Sequence, residues 1–147
     1  MLLPIALIAA VTTQILCQLF KVFYYSARTG AFSFKYFFTS GGMPSSHSAF
    51  VTALSVALAI HDGIASDAFA VAVVFGFIVM HDAYRLRGTV EKQSRLLKVL
   101  LADRPSEAAK LPEMLGHTLP EIAIGVVAGA AVGAGTTVLL ELLLAVR

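Results

Sequence analysis

The sequence predicts an all-α membrane protein: a polytopic bundle of about four transmembrane helices, with an added amphipathic helix at the interface or in the cytoplasm. Three observations predict it. The chain is 58% hydrophobic and 14% charged, with a mean hydropathy of +0.83, whereas a soluble domain is nearer 45–50% apolar and about 25% charged. Only helices and closed barrels satisfy their backbone in lipid. The apolar stretches here are continuous, whereas a barrel alternates apolar and polar residues over strands of about ten. At 147 residues the chain has room for a single domain, 1–147. A net charge of +2 gives no reason to expect nucleic acid as a partner, and the lone Cys17 excludes a disulfide within the chain.

The first helix is expected from Leu2 to about Phe20, with Pro4 in its first turn, where proline is tolerated. Its start lacks a basic region and a small-residue cleavage pattern, so it reads as a retained helix rather than a signal peptide. Gln14 and Gln18, with Cys17 and Lys21 nearby, form a polar stripe that should face protein. Residues 21–45 combine Lys21, Arg28 and Lys35 with aromatics that include Tyr24, Tyr25, Phe32, Phe34, Tyr36, Phe37 and Phe38, a composition suited to the membrane interface. A second, short apolar helix is expected over 46–60, ended by His61-Asp62-Gly63. Ser66 or Asp67 caps a third, running to about Met80. Residues 81–119 are the most charged segment. Val90, Leu97, Leu100 and Leu101 predict an amphipathic helix over about 84–102, with a short helix after Pro105. The last apolar run extends from Thr118 to about Ala145. In it Gly125, Gly129 and Gly133 form a ridge suited to close packing, either inside one chain or between two.

Positive residues predict the orientation. Segment 21–45 carries three Lys/Arg and segment 81–119 seven, whereas 61–67 carries none. Both basic segments are therefore expected in the cytoplasm, which gathers Lys21, the 40–49 turn, the arginines of 81–119 and His117 on one membrane face.

Two stretches on that face carry chemistry. Gly41-Gly42-Met43-Pro44-Ser45-Ser46-His47 runs from a turn into the second helix. Glycine admits close backbone approach, and the unpaired N–H groups of a helix's first turn favour an anion. His47 can deliver a proton near neutral pH. Further on, His117 and Glu121 are four apart and share a helical face. A carboxylate there fixes the imidazole tautomer and leaves the other nitrogen nucleophilic. Thr118-x-x-Glu121 also fits a capping box, a purely structural use of the same glutamate.

Pro44-Ser45-Ser46-His47, followed by His117-x3-Glu121 leading into Gly125, resembles the superfamily of type 2 phosphatidic acid phosphatases and vanadium haloperoxidases, and most of all its small, divergent bacterial and plant branch. That superfamily's motifs are Lys-x6-Arg-Pro, Pro-Ser-Gly-His and Ser-Arg-x5-His-x3-Asp. Lys21-x6-Arg28 matches the first in spacing, with Thr29 for its proline. Ser46 stands for the glycine of the second, and Glu121 for the aspartate of the third. The arginine of the third motif falls on Leu111. Arg87 is the favoured substitute, Arg85 the second choice, and Lys110 the nearest basic residue.

The resemblance implies a metal-independent lipid phosphate phosphatase with no cofactor, in which cationic side chains do the work of a metal. His117 would attack phosphorus to form a phosphohistidine, oriented by Glu121. His47 would protonate the leaving alkoxide. Lys21, Arg28, Arg87 and Arg85, with the backbone N–H groups near Ser45 and Ser46, would hold the phosphate. Phosphatidylglycerophosphate, phosphatidic acid and polyprenyl phosphates or pyrophosphates are all candidate substrates. A bacterial inner membrane is the expected location, with the site at its cytoplasmic face. The superfamily's usual core has more membrane helices than this chain, so either a homodimer or segment 84–102 completes it. Two other readings stand beside the enzyme: a non-catalytic binder of anionic lipid headgroups, and a small helix-packing subunit of a membrane complex.

Overall fold

The computed structural model describes residues 4–38, 41–111 and 116–145, and these form helices and turns. Helix α1 spans Ile5–Thr29 and stops at Gly30, which takes the left-handed conformation (φ 70°). It is therefore longer than the apolar run suggested. Nothing between Phe20 and Gly30 breaks a helix, and the inward face continues through Cys17, Lys21, Val22 and Ser26, all buried. Lys21, Tyr24, Tyr25 and Arg28 of the basic, aromatic segment therefore lie on α1 itself, while Phe32, Phe34 and Phe38 beyond it are exposed. A short 3₁₀ turn, Phe34–Phe38, folds back onto α1, with Tyr36 against Tyr25 at 5.4 Å between ring centroids.

Helix α2, Ser46–His61, packs against α1, α3 (Asp67–Tyr84) and α6 (Leu119–Ala145). Its length is about 24 Å at 1.5 Å per residue, short of the roughly 30 Å of a bilayer core. Its N-terminus, with Ser45–His47, therefore starts among the other helices. Ser45 is its N-cap, its hydroxyl accepting the Ser48 N–H at 3.4 Å. Ser66 caps α3 in the same way, accepting from Phe69 at 3.2 Å. Helix α3 runs one turn past Met80 to Tyr84. Helix α4, Leu86–Leu100, follows it across Arg85, so the amphipathic segment continues α3 with a single residue between them. Helix α5, Pro105–Ala108, is the short helix expected after Pro105.

Among the described residues, three elements are long and apolar enough to cross a membrane: α1, the α3–α4 stretch Asp67–Leu100, and α6. Helix α2 is a shorter apolar helix. The partition of side chains is that of a membrane protein. Large apolar residues face outward on α1 (Val11, Phe23), α3 (Val71, Phe77) and α6 (Val127, Leu142), whereas the interior holds alanines, Thr13, Lys21, the Ser45–Ser48 hydroxyls and Thr137. The amide oxygens of Gln14 and Gln18 also lie inside.

The glycine ridge of α6 is used within the chain. A Cβ at Gly125 would come within 3.1 Å of the Ser48 Cβ. One at Gly129 would meet the Ala49 backbone, and one at Gly133 would sit 2.7 Å from the Ala53 Cα. Ser45, Ala49 and Ala53 are a second ridge of small residues at the same four-residue spacing, so α2 and α6 approach backbone to backbone. The chain reversals place the end of α1, the start of α2, the end of α3 and the start of α6 together. At the other end His61 Nδ1 pairs with Glu141 Oε1 at 2.9 Å.

Candidate functional site

The second-motif turn is anchored before any ligand enters. Gly42 has φ 84°, and the Tyr25 hydroxyl occupies the space a Cβ would need, so only glycine fits. Ser45 is committed to structure. Its Oγ lies 2.9 Å from the Ser48 Oγ, and its N–H donates to the Glu121 carbonyl at 3.1 Å. That N–H, expected to face a phosphate, instead ties α2 to α6. The next residues are free to act. Ser46 Oγ and His47 Nδ1 are buried with no hydrogen-bond partner among the described residues.

His117 is placed by its backbone and oriented by its side chain. Its N–H donates to the Ala83 carbonyl at 3.1 Å. The preceding Gly116 N–H donates to Glu91 Oε2 at 3.1 Å, and a Cβ on Gly116 would stand 2.9 Å from the Gly88 Cα. Glu121 Oε2 then serves two partners. It accepts the Thr118 N–H at 2.9 Å, the return bond of a capping box, and lies 3.3 Å from His117 Nδ1. One carboxylate oxygen thus makes both the capping bond and the contact to His117. With Nδ1 engaged, Nε2 is the other nitrogen, buried and without a partner among the described residues. Burial pushes the imidazole below its ordinary 6.5. The bond to Glu121 opposes this shift, and the charges of Lys21 and Arg87 reinforce it. His117 is therefore held neutral, the form in which Nε2 carries a lone pair.

Lys21 and Arg87 supply positive charge. Lys21 is fully buried, and its Nζ has no partner among the described residues. The charges of Lys21, Arg87 and Asp82 all act on His47, which in turn feels His117. Arg87 is held through its Nε by Asp82 Oδ2 at 3.3 Å. Lys21, Ser46, His47, Arg87, His117 and Glu121 thus gather at one end of the bundle. An unpartnered ammonium deep in protein is costly, and a bound anion would relieve it.

The other expected basic residues are exposed. Arg28 is exposed at the end of α1, 5.9 Å above the Tyr24 ring. Arg85 is exposed and lines a cleft of about 690 Å³ with Gly42, Lys92, Arg95, His117 and Glu121. Lys110 is exposed beyond α5. Pro112 to Leu115 are outside the described residues. Sequence reasoning missed Ala83, Gly88, Glu91 and Gly116, which seat His117. A glycine inside a helical pattern, as at Gly88, was the available signal for close backbone approach.

The family described as Divergent PAP2 matches residues 4–132. The chain is 36% identical over 106 residues to the uncharacterized membrane protein YuiD of Bacillus subtilis (strain 168), covering 62% of this chain and 67% of that protein. No solved structure matches the chain.

Proposed function

The chain belongs to the Divergent PAP2 family, and from that premise we propose that it is a membrane lipid phosphatase, hydrolysing a phosphomonoester or pyrophosphate through a phosphohistidine on His117. One observation carries the reading. Lys21 Nζ, Ser46 Oγ, His47 Nδ1 and His117 Nε2, from three separate elements, are all buried without partners among the described residues, at the end of the bundle where Arg87 also sits. Four such atoms together are far from the usual satisfied state of buried polar groups. They match a tetrahedral dianion flanked by a nucleophile and an acid.

The steps follow from the geometry. The lone pair on His117 Nε2 attacks phosphorus, the bond from phosphorus to the ester oxygen breaks, and His47 in its protonated form gives that oxygen its proton. Glu121 stabilises the positive imidazole through Nδ1–H. Water, losing a proton to His47, then attacks the phosphohistidine and releases phosphate. Lys21 and Arg87 hold the equatorial oxygens, where charge must be stabilised. Ser46 Oγ and the N–H groups at the start of α2 are further donors. In this reading residues 1–147 form one domain with α1, α2, α3–α4 and α6 in the membrane. The excess of Lys and Arg at the site end supports a cytoplasmic site.

The test is phosphate release by purified protein in liposomes from phosphatidylglycerophosphate, phosphatidic acid and polyprenyl phosphate or pyrophosphate. Release from at least one lipid, abolished in His117→Ala and His47→Ala, is expected. Folded protein that releases none would leave a binder of anionic headgroups.

A further inference from the structure

A second cavity, about 370 Å³, lies on the outer surface between α1 and α6. Its walls include Leu16 and Tyr24 on α1, Ala128 and Val132 on α6, and Met43 and Pro44 of the second-motif turn. Every residue lining it is apolar except Tyr24 and Cys17. The two helices run in opposite directions, so the walls have an order in depth. Tyr24 and Ile124 mark the end nearest the polar cluster, and Leu16 and Val132 the end deepest in the membrane. Either wall extends about 12 Å at 1.5 Å per residue. The groove therefore lies along the bundle axis, as a lipid chain does.

What distinguishes it from other outward apolar surfaces is continuity with the site. Pro44 closes one side of the groove and is followed at once by Ser45 and Ser46. Cys17 lines it one helical turn from Lys21. The apolar hollow on α3, at Val71, Val74 and Phe75, borders no residue of the cluster.

We propose that the α1–α6 groove holds one hydrocarbon chain of the lipid phosphate, so that the phosphate reaches Lys21 and His117 past Pro44. This rests on the phosphatase reading and narrows it: the substrate enters from the bilayer between α1 and α6, and chain occupancy sets its affinity. Two variants fill the groove from opposite walls, Ala128→Trp and Leu16→Trp. In liposomes each should lower kcat/KM for a long-chain lipid phosphate about tenfold, while hydrolysis of water-soluble para-nitrophenyl phosphate stays within about twofold of wild type.

A lipid phosphate carrying a diazirine in its chain gives a readout independent of turnover. It should label Leu16, Ala128 and Val132, be displaced by unlabelled lipid phosphate, and lose these sites in Ala128→Trp. Equal losses on both substrates, or no loss on either, would overturn the proposal. So would label spread evenly over Val71 and Phe75. Absence of chain label together with a dimer that Ala128→Trp dissociates would give the groove to a second copy instead. If wild type hydrolyses nothing, the phosphatase reading fails and the labelling still decides the groove.

Discussion

Replacing Glu121 by glutamine separates its two uses. In the wild type, Oε2 accepts the Thr118 N–H at 2.9 Å and faces His117 Nδ1 at 3.3 Å. Glutamine is also a capping-box residue, so its carbonyl oxygen preserves the bond to Thr118, a contact whose net contribution is about 1 kcal/mol. It carries no charge, so it no longer stabilises the positive imidazole that forms when Nε2 attacks phosphorus. In a serine protease triad, losing the charge of the carboxylate together with the tautomer it selects costs about 10⁴ in kcat. Here the contact is long and the Glu121 side chain is 23% exposed, so a fall of about a hundredfold to a thousandfold is expected, or roughly 3–4 kcal/mol in the barrier. Lipid phosphate hydrolysis by Glu121→Gln should therefore drop by that factor at unchanged KM. Aggregation on heating, followed by size-exclusion chromatography, should shift little. Glu121→Ala should lose both activity and about 1 kcal/mol of stability. Glu121→Gln retaining activity within about threefold would refute the assignment of the carboxylate as the orienting group for His117.

Three more outcomes follow from the same geometry. Lys21→Met removes a buried ammonium without a partner; it should abolish phosphate affinity, measured by isothermal titration, while leaving thermal stability equal or higher by about 1–2 kcal/mol. Gly129→Leu drives a side chain into the Ala49 backbone and should cost more than about 3 kcal/mol, read as loss of the monodisperse peak in detergent, whereas Gly135→Leu, with open space at its Cβ, should be tolerated. Because burial holds His117 below its ordinary 6.5, its neutral form persists there, and protonation removes the nucleophile only at lower pH. The acid limb of kcat/KM should thus lie below pH 6.5 and move further down in a Glu121→Gln variant with measurable residual activity, since the carboxylate opposes the downward shift.

Local signals carried much of this arrangement. The Ser45 and Ser66 caps and the Thr118–Glu121 capping box depend on neighbours within four residues, and all three form. What required three dimensions was less legible. The ridge at Gly125, Gly129 and Gly133 declared close packing without naming a partner. That partner is the matching ridge at Ser45, Ala49 and Ala53, and with the ridge taken up inside the chain it gives no support to the helix-packing subunit. Helix α1 was read too short because a lysine among aromatics resembles an interface, whereas Lys21 points inward. Seven residues after Lys21, Arg28 keeps roughly the same face but lies about 10 Å further along, near the end of the helix, where it is exposed. Telling Arg87 from Arg85 depends on rotation about the α3–α4 junction, which turns Arg87 to Asp82 and Arg85 to the cleft that His117 and Glu121 also line.

The central claim is that His117 carries the phosphoryl group. Wild-type protein in liposomes should be mixed with a ³²P-labelled lipid phosphate, quenched in base within milliseconds, and digested for mass spectrometry. The account predicts a phosphorylated peptide, stable to base and labile to acid, modified at His117 and absent in His117→Ala. Rapid phosphate release with no labelled protein, or label that survives in His117→Ala, would contradict it.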